Sequence, residues 1–152
     1  MPIVAGTGCD ANALRVLGQL LIDHFGAQYP TWTVEAAMSE IASAGPVPAT
    51  FVALEHGEPL GCASLLDDDE VDGWDGHHWL GNVVVHPSAR GRGIGSQLVD
   101  VAINHARTLG LYSLQLVTDT AVDWYERRGW VAHGTASVHG HPMTVMTRDI
   151  SQ

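Results

Sequence analysis

Residues 83–96, Val-Val-Val-His-Pro-Ser-Ala-Arg-Gly-Arg-Gly-Ile-Gly-Ser, constrain the fold more than any other stretch of the chain. The β-branched run reads as a buried strand, His86-Pro87 breaks it, and three glycines lead into an amphipathic segment from Ile94. Strand, glycine turn and helix in direct succession belong to folds in which helices cover a sheet. Glycine there lets the backbone approach a ligand closely, and the first N–H groups of the helix have no partner within it. With the helix dipole behind them, those groups suit a phosphate or pyrophosphate. Arg90 and Arg92 add positive charge, in a chain whose seven basic residues are all arginine.

Two phosphate readings fail on residue identity. A P-loop needs Gly-Lys-Ser/Thr, and the chain has no lysine. The third glycine of a dinucleotide fingerprint would fall on Ser96, counting from Gly91, or on Leu98, counting from Gly93.

The segment does fit the Q/R-x-x-G-x-G/A signature, as Arg90-Gly91-Arg92-Gly93-Ile94-Gly95 behind Val85-His86-Pro87. Further on, Ala121-Val122-Asp123-Trp124-Tyr125-Glu126-Arg127-Arg128-Gly129-Trp130 is similar to an A-x-x-x-Tyr-Glu-x-x-Gly-Phe stretch, with Trp130 in place of Phe. On both counts the chain resembles the GCN5-related N-acetyltransferase (GNAT) superfamily, from about Thr50 to Arg148.

The element pattern agrees. Asp10 is a good N-cap for a helix with Leu14, Leu17, Leu20, Leu21 and Phe25 at helical spacing, ending near Gly26. Thr33 opens a second helix, stopped by Gly45-Pro46. Residues 50–54 and 60–66 read as strands joined by a turn at 55–58, followed by an acidic loop from Asp67 to Asp75. Residues 79–85 form a strand, 94–109 a helix, 112–117 a strand and 120–128 a short helix. Residues 130–138 and 143–148 form a hairpin across Gly140. The resemblance implies an α/β (α+β) GNAT fold within one acetyltransferase domain, residues 1–152. It is a central mixed, mostly antiparallel sheet with helices on both faces and a V-shaped splay between the fourth and fifth strands.

The resemblance further implies an acetyl-CoA-dependent N-acetyltransferase that moves acetyl to a primary amine by direct transfer in a ternary complex. Backbone groups of Val83, Val84 and Val85 would pair with the pantetheine arm. The N–H groups of Arg90, Gly91, Arg92, Gly93, Ile94, Gly95 and Ser96 would hold the pyrophosphate. A backbone N–H near Val83 would polarise the thioester carbonyl. Tyr125 would touch the cofactor and protonate the departing thiolate; without the resemblance it is a buried, hydrogen-bonded tyrosine. Thr118 stands where the family often has asparagine, which implies a weaker side-chain contact to the cofactor. Family members often carry a glutamate on the strand ahead of the motif, but residues 79–85 hold no carboxylate. His78 is the expected base, with His77, Asp75 and relaying water as alternatives.

A cationic small-molecule amine or peptide is the expected acceptor, because 17 acidic residues against seven basic give −10 and would steer a cation inward. The same charge has the wrong sign for nucleic acid. The acidic loop either steers the acceptor or is simply solvated; Trp74 and Trp79 either line its pocket or, for Trp79, fill the core. No metal site is expected from His77-His78, His139 and His141. Cys9 and Cys62 suggest neither a disulfide framework nor a covalent acetyl-cysteine route. No apolar run spans a membrane and no signal peptide is evident, so a cytoplasmic monomer or homodimer is expected. The rival readings are a non-catalytic acyl-CoA-binding sensor of the same fold, and an acyltransferase using a hydroxyl acceptor or a longer acyl group.

Overall fold

Strand β3 (Glu58–Leu66) is buried on both faces along nearly its whole length, and the other elements are arranged around it in the computed structural model, which describes residues 1–74, 76 and 78–151. The other strands are β1 (Ile3–Ala5), β2 (Ala49–Glu55), β4 (Trp79–Val85), β5 (Ser113–Thr118), β6 (Val131–Val138) and β7 (His141–Asp149). They form one mixed sheet in the order β1-β2-β3-β4-β5-β7-β6, in which β4 and β5 run parallel and the other neighbours antiparallel.

Alternation along β3 sends its side chains to opposite faces. Cys62 joins Val52 and Val84 under helices α1 (Ala11–Phe25) and α2 (Val34–Ile41), whose Leu17, Leu21, Ala37 and Ile41 complete that layer. Ala63 and Leu65 point the other way, toward Leu98, Val99, Ala102 and Ile103 of helix α3 (Ile94–Thr108). A third cluster, with Trp79, Val138, Met143 and Val145, closes one end of the sheet.

Capping follows the sequence. Asp10 accepts from the Ala13 N–H at 2.8 Å and Thr33 from the Ala36 N–H at 3.1 Å, each satisfying a first-turn donor. The turns His56-Gly57 and His139-Gly140 carry positive φ at both residues, which matches the twist of two-residue hairpins. Helix α2 ends at Ile41, before the expected stop at Gly45-Pro46, and the final helix α4 (Val122–Glu126) is shorter than the expected 120–128. Strand β1 was not legible in the sequence: its three residues carry no countable alternation and are set by pairing Ile3 with Ala53.

Two features of β4 shape the site. Gly81 pairs with Ser64 and Val84 with Cys62, so Asn82 and Val83 lie opposite Ala63 alone, a β-bulge with Asn82 at φ +56. Asn tolerates that left-handed conformation better than most residues. Beside the bulge, β4 and β5 pair only at Trp79 and Gln115 and then diverge. The V-shaped splay implied by the resemblance is therefore present, between the fourth and fifth strands.

Candidate active site

The glycine turn and the start of α3 border a cavity of about 540 Å³. Gly93 caps α3 with φ +77 and makes no side-chain cap bond, so the first-turn N–H groups of this 15-residue helix face the cavity uncapped. A Cβ at Gly91 or Gly93 would meet nothing within 4 Å, which leaves this rim open to a bulky anion. Gly95 is closer-set, with Val85 and Trp124 on either side. Arg90 lines the same cavity, with Nε donating to the Val85 carbonyl at 3.2 Å. Arg92 lines neither cavity: it pairs with Glu55 at 2.6 Å across the turn.

The cavity also holds two side chains that the sequence reading did not assign. Arg128 Nη1 donates to the Trp124 carbonyl at 2.8 Å, and its guanidinium stacks on the Trp124 ring. The signal was there in Arg127-Arg128 of the second motif, but an exposed arginine and one turned inward look alike in sequence.

A second cavity, of about 580 Å³, opens on the other side of the splay. Val83, Ala121 and Tyr125 border both cavities. Glu40, Asp68, Asp69, Glu70 and Asp119 line this second space, with no arginine among its lining residues. Glu40 accepts from Asn82 Nδ2 at 2.6 Å, and the same amide donates to Ser64 Oγ at 3.0 Å, which ties α2 to the bulge. Tyr29 donates its hydroxyl to Asp69 Oδ1 at 3.1 Å. Burial pushes the Asp69 carboxyl up to about 7, against the lowering effect of the Tyr29 bond and with further upward push from Glu40, Asp68 and Glu70.

Tyr125 sits on α4, held by edge-to-face contacts with Trp124 and Trp130 at 4.9 and 6.0 Å between centroids. Its hydroxyl has no hydrogen-bond partner among the described residues, so it is free to donate into either cavity. Burial pushes the phenol well above its ordinary value, with Arg128 pulling in the opposite direction.

The remaining candidates are distributed as follows. Val83, Val84, Val85, Ile94 and Ser96 border the first cavity. Thr118 borders the second and is occupied locally, its Oγ1 accepting from the Ala121 N–H at 3.1 Å. His78 lines neither cavity; its backbone N–H donates to the Asp67 carbonyl and its carbonyl accepts from the Gln115 N–H. His77 and Asp75 lie outside the described residues. Trp79 is in the core, with Nε1 donating to the Gly76 carbonyl at 3.2 Å. Burial pushes the Cys62 thiol up to about 12, so no thiolate forms there near neutrality. No helix is long and apolar enough to cross a membrane, and no metal-binding cluster occurs, both among the described residues.

The model of the acetyltransferase (GNAT) family matches residues 15–130. This chain belongs to that family. A mycothiol acetyltransferase from Geodermatophilus obscurus is 31% identical to this chain over 135 residues, covering 84% of this chain and 43% of that protein. The chain thus spans less than half the length of that relative. Among solved structures, the PaiA N-acetyltransferase of Thermoplasma acidophilum in complex with coenzyme A superimposes with a TM-score of 0.74 at 14% identity, covering 98% of this chain and 99% of that one. An aminoglycoside 6'-acetyltransferase type Ii gives 0.72 at 21% identity, covering 100% and 99%. At those identities the likeness shows the fold of this chain.

Proposed function

We propose that this GNAT acetyltransferase transfers acetyl from acetyl-CoA to a primary amine of a cationic small molecule or peptide, both bound at once. The observation that carries the reading is the meeting of two unlike cavities at Val83 and Tyr125. One offers helix N–H groups and arginines to an anion; the other offers carboxylates to a cation. Coenzyme A in the Thermoplasma structure supports the first half of that reading.

The residues present fit the cofactor. The uncapped start of α3 and the open Gly91 and Gly93 suit a pyrophosphate, with Arg90 and Arg128 beside it. The splay between β4 and β5 leaves backbone groups near Val83 and Val85 for an extended arm. When bound, the cofactor supplies an acetyl group activated as a thioester.

Asn82 and Val83, turned out of the regular ladder by the bulge, present backbone at the junction, where an N–H would stabilise negative charge developing on the carbonyl oxygen. Tyr125 stays protonated across the physiological range and donates to the departing thiolate. The carboxylates of the second cavity draw in and orient an ammonium group.

The test is thiol release from acetyl-CoA with spermidine, kanamycin, amino acids and short peptides, for wild type and Tyr125→Phe. Release with a cationic amine, reduced on the order of 10²-fold by the substitution, is the expected result. Tight coenzyme A binding with no release for any amine would instead favour the sensor reading.

A further inference from the structure

We propose that Asp69 is the general base, taking a proton from the ammonium group of the acceptor before it attacks. The proposal rests on the amine-transfer reading above. It is argued from where Asp69 sits.

Asp69 comes from the loop after β3 and borders the second cavity together with Gly81, Asn82 and Val83 of β4. One oxygen, Oδ1, is held by the Tyr29 hydroxyl at 3.1 Å; the same hydroxyl also lies 3.2 Å from the Asp69 carbonyl oxygen. The other oxygen, Oδ2, lies 3.8 Å from the position a Cβ on Gly81 would take. The place of that Cβ is filled by the Leu66 side chain, whose Cδ1 would lie 2.5 Å from it, so glycine at 81 lets Leu66 pack against β4 with Asp69 at its edge, on the lining that continues to Asn82 and Val83. No strand side chain supplies a carboxylate there; the loop does.

The other carboxylates of the cavity are placed for different work. Glu40 is bonded to Asn82, Glu70 faces His139 at 3.4 Å, Asp68 accepts from the Glu70 N–H, and Asp119 accepts from Gln28 Nε2 at 3.4 Å. Asp68, Glu70 and Asp119 are also exposed, whereas Asp69 is partly buried. The charged and titratable groups facing Asp69 are Tyr29, Glu40, Asp68 and Glu70, and the last three hold its proton affinity up. That supports a base able to exchange a proton near neutrality.

The step balances. Asp69 carboxylate takes one proton from R–NH₃⁺, leaving R–NH₂ with a free lone pair. That pair forms the N–C bond at the thioester carbonyl as the C–S bond breaks. The thiolate takes a proton from the Tyr125 hydroxyl, and the second proton lost by nitrogen restores the phenol through solvent. Asp69 returns its proton to bulk water, so the net products are amide, thiol and one proton.

The test has two readouts. In the free protein, infrared titration of the carboxyls should show one group protonating near 7 that is absent in Asp69→Asn; a carboxyl at Asp69 titrating near 4 overturns the proposal. With the fastest amine of the panel, wild-type kcat/KM should have an acid limb near pH 7. Asp69→Asn should lower kcat/KM at pH 7 on the order of 10²–10³-fold and recover toward the amine's own pKa, where the acceptor deprotonates unaided. Tyr29→Phe, which removes a bond to the charged carboxylate, should move the acid limb to higher pH. An unchanged profile in Asp69→Asn, or an equal loss at every pH with coenzyme A still bound, overturns the assignment. Silence of the wild type with every amine removes the amine reading and the base with it, while the free-protein titration then reports Asp69 alone.

Discussion

The guanidinium carbon of Arg128 lies 3.6 Å from the centroid of the Trp124 ring, while its Nη1 donates to the carbonyl of that same residue. Both restraints come from one turn of chain, so the cation is fixed before any ligand arrives. It stands on the wall of the cavity that the start of α3 also borders. Arg128→Ala should weaken coenzyme A binding by about 10- to 100-fold, the range for losing a hydrogen bond to a charged group. Arg128→Lys should restore little, since an ammonium cannot reproduce the stacked planar fork. Arg92→Ala, which removes only the exposed partner of Glu55, should leave affinity within about twofold. Calorimetric titration of the three variants separates these outcomes.

Gly95 gives a prediction in which stability and binding move in opposite directions. A Cβ there would sit 3.5 Å from Val85 Cγ2 and 3.6 Å from Trp124 Cζ2, ordinary contact distances. Gly95→Ala should therefore stabilise the fold by about 0.5–1 kcal/mol, through lower unfolded-chain entropy and better helix propensity. The added methyl also occupies the wall between Val85 and Trp124, so coenzyme A affinity should fall by about tenfold, ~1.4 kcal/mol. Urea unfolding and calorimetry on the same sample check both signs.

The first cavity was far more legible in the sequence than the second. The turn from Arg90 to Gly95 borders the first cavity with its own backbone and the helix it opens, so contiguous residues carry most of the information. The second cavity is assembled from Tyr29, Glu40, Asp69, Asp119 and His139, which are far apart in the chain and meet only in the folded structure. Asp69 was readable only as one member of an acidic run, because what separates it from Asp68 is the Tyr29 hydroxyl arriving from 40 residues away. His78 has the chemistry of a base, yet it lines neither cavity, and its backbone is bonded to Asp67 and Gln115.

Asn82 is predicted to be the most sensitive residue of β4. Its φ of +56 costs a side chain with a Cβ about 1–2 kcal/mol, unless local hydrogen bonding offsets it as for Asn. Its amide also joins Glu40 to Ser64, which shares a 2.6 Å bond with Thr50 inside the sheet. Asn82→Ala should lose both the backbone tolerance and those bonds, about 2–4 kcal/mol. Asn82→Gly should lose the bonds alone and fall between wild type and Ala. An order in which Gly is less stable than Ala would show that the backbone conformation is not what Asn82 is there to supply.

Asp69 should make the protein less stable as pH rises, the reverse of an ordinary salt-bridged carboxylate. Its folded-state value of about 7 stands above the ordinary ~3.9 of an unfolded aspartate. Between those two values the folded protein holds more protons than the unfolded chain, so the slope of unfolding free energy against pH is negative. The destabilisation is absent below about pH 4, builds through the window from 4 to 7, and is constant above it. Three pKa units would correspond to about 4 kcal/mol as an upper limit, reduced by partial solvation of the carboxyl. Asp69→Asn keeps the shape and an acceptor for Tyr29 without the charge, so it should be more stable than wild type by about 1–3 kcal/mol at pH 8. Near pH 4 the two should converge. Urea denaturation of both proteins across that range checks it: a stability difference that does not grow with pH would mean that Asp69 is ionised in the folded protein at no cost.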